Sequence, residues 1–245
     1  PRSFVGTFHS FGVRLLRRFA PEAGLTSGFV VFDADDQLAV FRHALKAAGI
    51  TDKTLTPKSV ASKISRARNA GWSREEYPRR FGDFVGTRLA ELHATYEKEL
   101  KKANAVDFDD LLVKTARLLA GDAEVLGLLR RSVTQLLVDE YQDTNGAQDE
   151  IVKLLAGETA NVFAVGDEDQ SIYRWRGADV SNILEFTRHF PAARTIRLER
   201  NYRSTGPILE AAGAVVAENR RRLGKTLKAT KAGGDPVTLL VLSEE

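Results

Sequence analysis

The spacing of apolar positions changes character along the chain. Phe8, Phe11, Leu15 and Phe19 fall at the period of one helix face, with Arg14, Arg17 and Arg18 on the other side. Thr7 is placed to cap this helix and Pro21 to stop it, while Phe4-Val5-Gly6 reads as the end of a strand. Residues 25–105 read as mostly helical. Asp33 or Asp35 caps a helix carrying Leu38, Phe41 and Leu45 and ending at Gly49. Pro57 opens a second, with Val60, Ile64 and Ala67 inward and Lys63, Arg66 and Arg68 outward. A third runs through Phe84 and Leu89 to Leu100, and Trp72 and Tyr77 read as packing residues. Without a strand signature, this stretch is expected to be a helical insertion or a separate subdomain.

Beyond it the pattern shifts. Asp107-Phe108-Asp109-Asp110 precedes an apolar helix at 111–119. Acids at a helix start suit the helix dipole, so they are read as capping rather than as a metal site. Short apolar runs at 136–138, 162–165 and 195–198 then alternate with helical stretches. That alternation predicts an α/β fold, with a parallel sheet carrying helices on both faces. Thr205-Gly206-Pro207 starts a helix with Ile208, Leu209, Ala212, Val215 and Val216 on one face. Gly233-Gly234-Asp235-Pro236 is a turn before a last strand at 237–242.

Composition narrows the function classes. The 245 residues are 43% hydrophobic and 28% charged, which suits an ordinary globular core of one or two domains. There is no cysteine, so disulfides, thiol nucleophiles and cysteine-ligated metals are excluded. No apolar run reaches the length of a membrane span. The net charge of +3 does not by itself demand nucleic acid. Basic residues do cluster, at Arg14, Arg17 and Arg18 and again at Arg220, Arg221, Arg222, Lys225, Lys228 and Lys231. Phosphate contacts and solvated helix faces both account for such clusters.

The chemistry collects after the strands. In Leu136-Leu137-Val138-Asp139-Glu140-Tyr141-Gln142-Asp143, three apolar residues run into two adjacent carboxylates. If this is a buried parallel strand, its carboxyl end opens onto the crevice where ligands bind in α/β sheets. Asp139 could then hold a magnesium ion carrying nucleotide phosphates, and Glu140 could deprotonate an attacking water; a plain acidic turn is the other reading. After the next strand, Gly166 permits a tight exit and Gln170 could sense a phosphate or a positioned water. Tyr173-Arg174-Trp175-Arg176 interleaves aromatics with arginines, a pattern for stacking on unpaired bases or for a wedge into the core. Tyr202 and Arg203, in Asn201-Tyr202-Arg203-Ser204-Thr205, could stack on a base and stabilise phosphoryl charge, or form a cap and turn. His9, just inside the first helix, reads on its own as a packing or surface histidine.

Four blocks thus stand in order: Thr7-Phe8-His9-Ser10, 139–144, 166–179 and 201–205. Together they closely resemble superfamily I helicases of the UvrD/PcrA/Rep type, and the resemblance covers essentially the whole chain. It implies RecA-like motor domains interrupted by an all-helical inserted subdomain. Residues 1–24 and 106–205 would form an incomplete first motor domain, 25–105 the insertion, and 206–245 the beginning of a second motor domain. It implies an ATP-driven 3′–5′ motor on single-stranded DNA, acting at single/double-strand junctions, alongside DNA repair or replication proteins in the bacterial cytoplasm and nucleoid. By motif, Asp139 would be the Mg2+ carboxylate, Glu140 the hydrolytic base and Gln170 the γ-phosphate contact. Tyr202 would stack on adenine and Arg203 reach the γ-phosphate. Thr7, His9, Tyr173, Trp175 and Arg176 would grip the DNA strand.

One departure stands out. The family's glycine-rich phosphate loop with Gly-Lys-Ser/Thr is not in the sequence, and Gly224-Lys225-Thr226 lacks the earlier glycine and follows a helix rather than a strand. In the family that loop precedes the Thr7 block, so the chain is expected to begin downstream of it, and alone to bind ATP poorly and hydrolyse it negligibly. The alternatives are the motor part of a helicase–nuclease subunit and a motor-dead DNA- or partner-binding module. A two-metal nuclease on Asp139, Glu140 and Asp143 is the least favoured, since such sites draw carboxylates from several elements.

Overall fold

The computed structural model describes residues 3–50, 52, 54–157 and 161–241. In chain order its elements are α1 (Phe8–Arg18), β1 (Val30–Val31), α2 (Ala34–Ala47), α3 (Pro57–Asn69), α4 (Tyr77–Phe81), α5 (Asp83–Lys102), β2 (Ala105–Val106), α6 (Phe108–Gly121), α7 (Ala123–Ser132), β3 (Gln135–Val138), α8 (Gly146–Ala156) and β4 (Asn161–Ala164). They are followed by α9 (Ser181–Leu184), α10 (Phe186–His189), β5 (Arg200–Thr205), α11 (Gly206–Ala217) and β6 (Lys228–Lys231). Short 3-10 turns at Tyr141–Asp143, Glu168–Gln170 and Arg174–Arg176 lie between them. The strands form three parallel pairs, β1–β2, β3–β4 and β5–β6.

Helix starts follow the sequence signals. Thr7 caps α1 by accepting the Ser10 N–H at 3.1 Å, and Asp33 caps α2 in a reciprocal box with Asp36. Thr56 caps α3, with Pro57 in its first turn. The apolar faces of α2, α3 and α5 close on one cluster that includes Phe41, Val60, Ile64, Tyr77, Leu89 and Tyr96. A second cluster takes Leu15, Leu16 and Phe29 together with Leu111, Leu119, Ile151 and other residues of α6–α8. A third lies under β3–β4, built on Val138, Tyr141 and Val152 with Phe186 and Phe190 against them.

Several expectations need correction. Val30–Val31 and Ala105–Val106 are paired strands inside and at the end of the stretch read as strand-free; they hold its two ends side by side. Residues 4–6 form no strand. Residues 195–198 are not a strand; the extended pairing starts at Arg200. Residues 237–241 form no strand either, and Leu242 lies outside the described residues. Nor is the β3–β4 pair buried on both faces. Alternation turns Leu136, Val138, Val162 and Ala164 onto the third cluster. It leaves Leu137 and Phe163 70% and 58% exposed, with no described element across that face.

Candidate functional site

The parallel register Val138↔Ala164 places the carboxyl ends of β3 and β4 side by side, so the loops that follow them meet. The Tyr141 N–H donates to Val165 O at 2.9 Å, and the Val165 N–H to Val138 O at 2.9 Å. Gln142 joins the two loops. Its buried side chain donates to Glu140 Oε2 at 2.8 Å and accepts the Asp167 N–H at 3.0 Å, and its carbonyl accepts the Ser171 hydroxyl at 3.3 Å. Gly166 leaves room for this crossing: a Cβ there would stand 2.6 Å from Gln142 Oε1. Sequence reading did not single out Gln142; its only signal is an amide between carboxylates.

Below the tip the first loop is firmly anchored. Tyr141 is fully buried, donates its hydroxyl to Asp149 at 2.7 Å and meets Phe186 edge-on at 5.2 Å. Thr144 returns its hydroxyl to Tyr141 O at 2.7 Å, and its carbonyl accepts from the Asp179 N–H and the Asn182 amide. On this base Asp139 and Glu140 stay exposed. Asp139 Oδ1 accepts the Glu140 N–H at 3.0 Å. Glu140 adopts φ 52° and ψ 44°, a left-handed conformation that costs an L-residue roughly 1–2 kcal/mol. Such strain persists where the surroundings over-determine it, commonly at functional positions. Asp143 Oδ1 is buried without a hydrogen-bond partner among the described residues; burial, then the Glu140 charge, raise its pKa above the usual carboxylate range.

Gln170 sits on the neighbouring loop, but its amide is turned onto Asp167, donating to Oδ2 at 2.6 Å. Tyr173 and Trp175 follow it, ring centroids 6.5 Å apart, with Trp175 72% exposed. The Arg176 side chain lies outside what is described. Tyr202 and Arg203 lie on β5, Tyr202 68% exposed. The Arg203 N–H donates to Asn201 Oδ1 at 2.9 Å, and its carbonyl accepts from Lys231 Nζ. Among the described residues no hydrogen bond or ion pair links either of them to the acidic tip. The structure therefore brings Asp139, Glu140 and Gln170 onto adjacent loops, and places Tyr202 and Arg203 on β5. Thr7 is a helix cap, and His9 packs on Phe108 at 5.6 Å; burial, opposed by Asp109, lowers its pKa.

Among the described residues no group of three His, Cys, Asp or Glu side chains is arranged to hold a metal. An exposed carboxylate at a strand tip fits a magnesium ion held mostly by phosphate oxygens and water, with one or two protein carboxylates. Lys225, in the Gly-Lys-Thr fragment, forms an ion pair with Asp167, and Arg222 with Asp169. Both belong to the late basic cluster, so here neither open phosphate contacts nor a solvated face describes them.

Adjacent parallel strands ending in acid-bearing loops make this a mixed helix–strand protein whose candidate site lies at the strand tips. The UvrD/REP helicase N-terminal domain family matches residues 2–191, and the chain belongs to that family. It is 43% identical over 224 residues to the ATP-dependent DNA helicase PcrA of Bacillus subtilis (strain 168), covering 91% of this chain and 30% of that protein. It is 40% identical over 236 residues to DNA helicase II of Escherichia coli (strain K12), covering 96% of this chain and 33% of that one. The chain thus spans about a third of the length of the curated relatives it matches. No described helix is long and apolar enough to cross a membrane.

Proposed function

We propose that the chain is the part of an ATP-dependent DNA helicase that carries the hydrolytic acids and part of the DNA grip. The whole protein would couple ATP hydrolysis to 3′–5′ movement on single-stranded DNA and to duplex separation at junctions. Residues 1–24 and 106–205 would belong to a first RecA-like domain, 25–105 to a helical insertion and 206–245 to the start of a second. An apolar cluster drawn from 41–105 and a second that joins Leu15 and Leu16 to residues 106–155 support the division in outline; Phe29, ahead of β1, packs with the second. The ATP dependence in the PcrA relative's name supports ATP as a ligand, and the names of both relatives support DNA. The bacterial cytoplasm, with repair or replication proteins on the same DNA, is the setting this reading implies.

The observation that carries the proposal is the meeting of the Asp139–Glu140 tip with the Gln170 loop through Gln142. Asp139 would hold Mg2+, which when bound neutralises phosphate charge. Glu140 takes a proton from water as the water oxygen bonds to the terminal phosphorus; the bridging P–O bond breaks, releasing ADP and phosphate. Gln170 would contact the γ-phosphate. Tyr202 would stack on the adenine and Arg203 reach the γ-phosphate. Thr7, His9, Tyr173, Trp175 and Arg176 would hold the strand. Lacking a phosphate loop, the isolated chain should hydrolyse ATP negligibly. In the full-length protein, Glu140→Gln is expected to lower DNA-stimulated turnover by about 10²–10⁴-fold while single-stranded DNA binding persists. Unchanged turnover in that variant would remove Glu140 as the base and with it this reading.

A further inference from the structure

The three acids after β4 are all engaged by the stretch that follows α11. Arg222 meets Asp169 with a two-pronged contact, Nε to Oδ1 at 3.0 Å and Nη2 to Oδ2 at 2.8 Å, and Asn219 Nδ2 adds a third donor at 3.2 Å. Glu168 accepts the Leu223 N–H at 2.9 Å. Lys225 Nζ pairs with Asp167 Oδ1, while the other oxygen of the same carboxylate accepts from Gln170. These contacts are sheltered: the Asp169 and Arg222 side chains are 6% and 21% exposed. One carboxylate, Asp167, is therefore shared between the downstream Lys225 and the glutamine of the candidate phosphate contact.

We propose that Lys225 and Arg222 are positioning residues for Gln170. They clamp the 167–170 loop so that Gln170 is parked on Asp167, and loosening the clamp frees its amide for a nucleotide phosphate. This rests on the reading above that Gln170 faces a nucleotide. A carboxylate fixed by an ammonium on one oxygen presents the other in a set direction, and charge-assisted bonds are about twice as strong as neutral ones. A parked glutamine makes the phosphate-competent arrangement a minority, and apparent affinity falls by that fraction. Displacement of the 219–225 stretch would release all three acids together. The placement of the stretch after α11 would thus be read directly at Gln170, with no contact between that stretch and the nucleotide.

The test uses the full-length protein with Lys225→Met, Arg222→Met and the charge-keeping Lys225→Arg. Its first arm is hydrogen exchange at the Asp169 and Gln170 amides, whose N–H groups bond to Asp167 Oδ1 and O at 3.1 and 2.9 Å, without nucleotide. Both Met variants are expected to exchange about tenfold faster or more, and Lys225→Arg at close to the wild-type rate. In an Asp167→Asn background, Lys225→Met should add nothing further. Unchanged exchange in the Met variants overturns the clamp, whatever the fate of the nucleotide reading. The second arm is ATP turnover without DNA. Lys225→Met is expected to lower KM for ATP by about three- to tenfold with kcat held, and Lys225→Arg to restore it. A fall in kcat with KM unchanged would mean a merely structural role and overturn the proposal. Absence of turnover in the wild type even with single-stranded DNA would sink the nucleotide reading, and with it the parking of Gln170 for a phosphate, while the exchange arm still decides the clamp.

Discussion

Asp107, Asp109 and Asp110 stand at the start of α6; Asp139, Glu140 and Asp143 stand beyond the end of β3. In the first group Asp107 and Asp110 are buried and both are ion-paired with Arg68, itself buried at the end of α3. Asp107 also accepts from Tyr96 Oη at 2.9 Å, Gln37 Nε2 at 3.2 Å and the Asp110 N–H at 2.7 Å. Asp109 accepts from Asn69 Nδ2 at 2.7 Å, and Asn145 Nδ2 donates to Asn69 Oδ1 at 2.8 Å. Burial opposes charge on Asp107, but Arg68, the Asp110 N–H and the Tyr96 hydroxyl outweigh it and hold its pKa below the usual range. In the second group the two leading acids are exposed and one sits on strained backbone. Acids that are buried and matched hold elements together. Acids left in water on a rigid, strained base remain available to a ligand.

The contrast is broken most severely at Arg68. Arg68→Met leaves two buried carboxylates without their cation and is expected to destabilise the protein by about 3–5 kcal/mol, measured as a shift in denaturant midpoint. Asp139→Asn should stay within about 0.5 kcal/mol of wild type by the same measurement. Equal losses from both would erase the distinction between the two groups.

A second buried polar pair sharpens it. His93 Nδ1 lies 2.9 Å from Tyr77 Oη, and its Nε2 is buried 3.5 Å from Glu97 Oε1 without hydrogen-bond alignment. Burial, only partly opposed by Glu97, pushes its pKa down from 6.5 to about 4. The unfolded chain therefore binds a proton that the folded one refuses between those values. The stability that His93 contributes is complete above about pH 6.5 and declines as pH falls toward 4, by roughly 3 kcal/mol in total. Comparing unfolding at pH 7 and pH 4.5 for wild type and His93→Leu isolates this slope from that of the carboxylates; an identical slope in the two proteins would show that His93 is not held neutral.

On the exposed side, Trp175→Ala is expected to weaken single-stranded DNA binding by about 1–3 kcal/mol in a titration at fixed salt, with unfolding unaffected. Unaltered affinity would remove the ring from the DNA face.

The helix starts, the insertion-like helical stretch and the acid-tipped strand are legible because caps, prolines and period-3.6 spacing are local signals. Arg68 was not. It is read as outward with Lys63 and Arg66, and only the tertiary meeting of α3 with α6 shows that this arginine turns inward. The Arg222 and Lys225 pairing escaped for the same reason, since their partners lie more than 50 residues upstream. Residues 195–198 carry the β-branched and apolar composition of a strand, yet the pairing starts at Arg200, because only that segment finds a neighbour in β6. The burial expected of 136–138 failed because a single sequence does not show what covers each face of a sheet.

The smallest effect tests the strained backbone itself. Two non-glycine residues are left-handed among those described, Glu140 at φ 52° and Asn104 at φ 45°. Asparagine tolerates that region, and Asn104 is further secured by bonds to Thr26, with Nδ2 donating to Oγ1 at 2.6 Å and Oδ1 accepting its N–H at 3.2 Å. Glutamate has no such preference, and among the described residues its side chain is hydrogen-bonded only to the Gln142 amide. Glu140→Gly should therefore relieve strain and, after the added freedom of the unfolded chain, raise stability by about 0.5–1 kcal/mol. Asn104→Gly should lower it, because the Thr26 bonds are lost for little relief. A gain at 140 and a loss at 104 would mean that the fold tolerates an unfavourable residue at the strand tip for what its carboxylate does there. A loss at both positions would place Glu140 among the structural acids, beside Asp107 and Asp110.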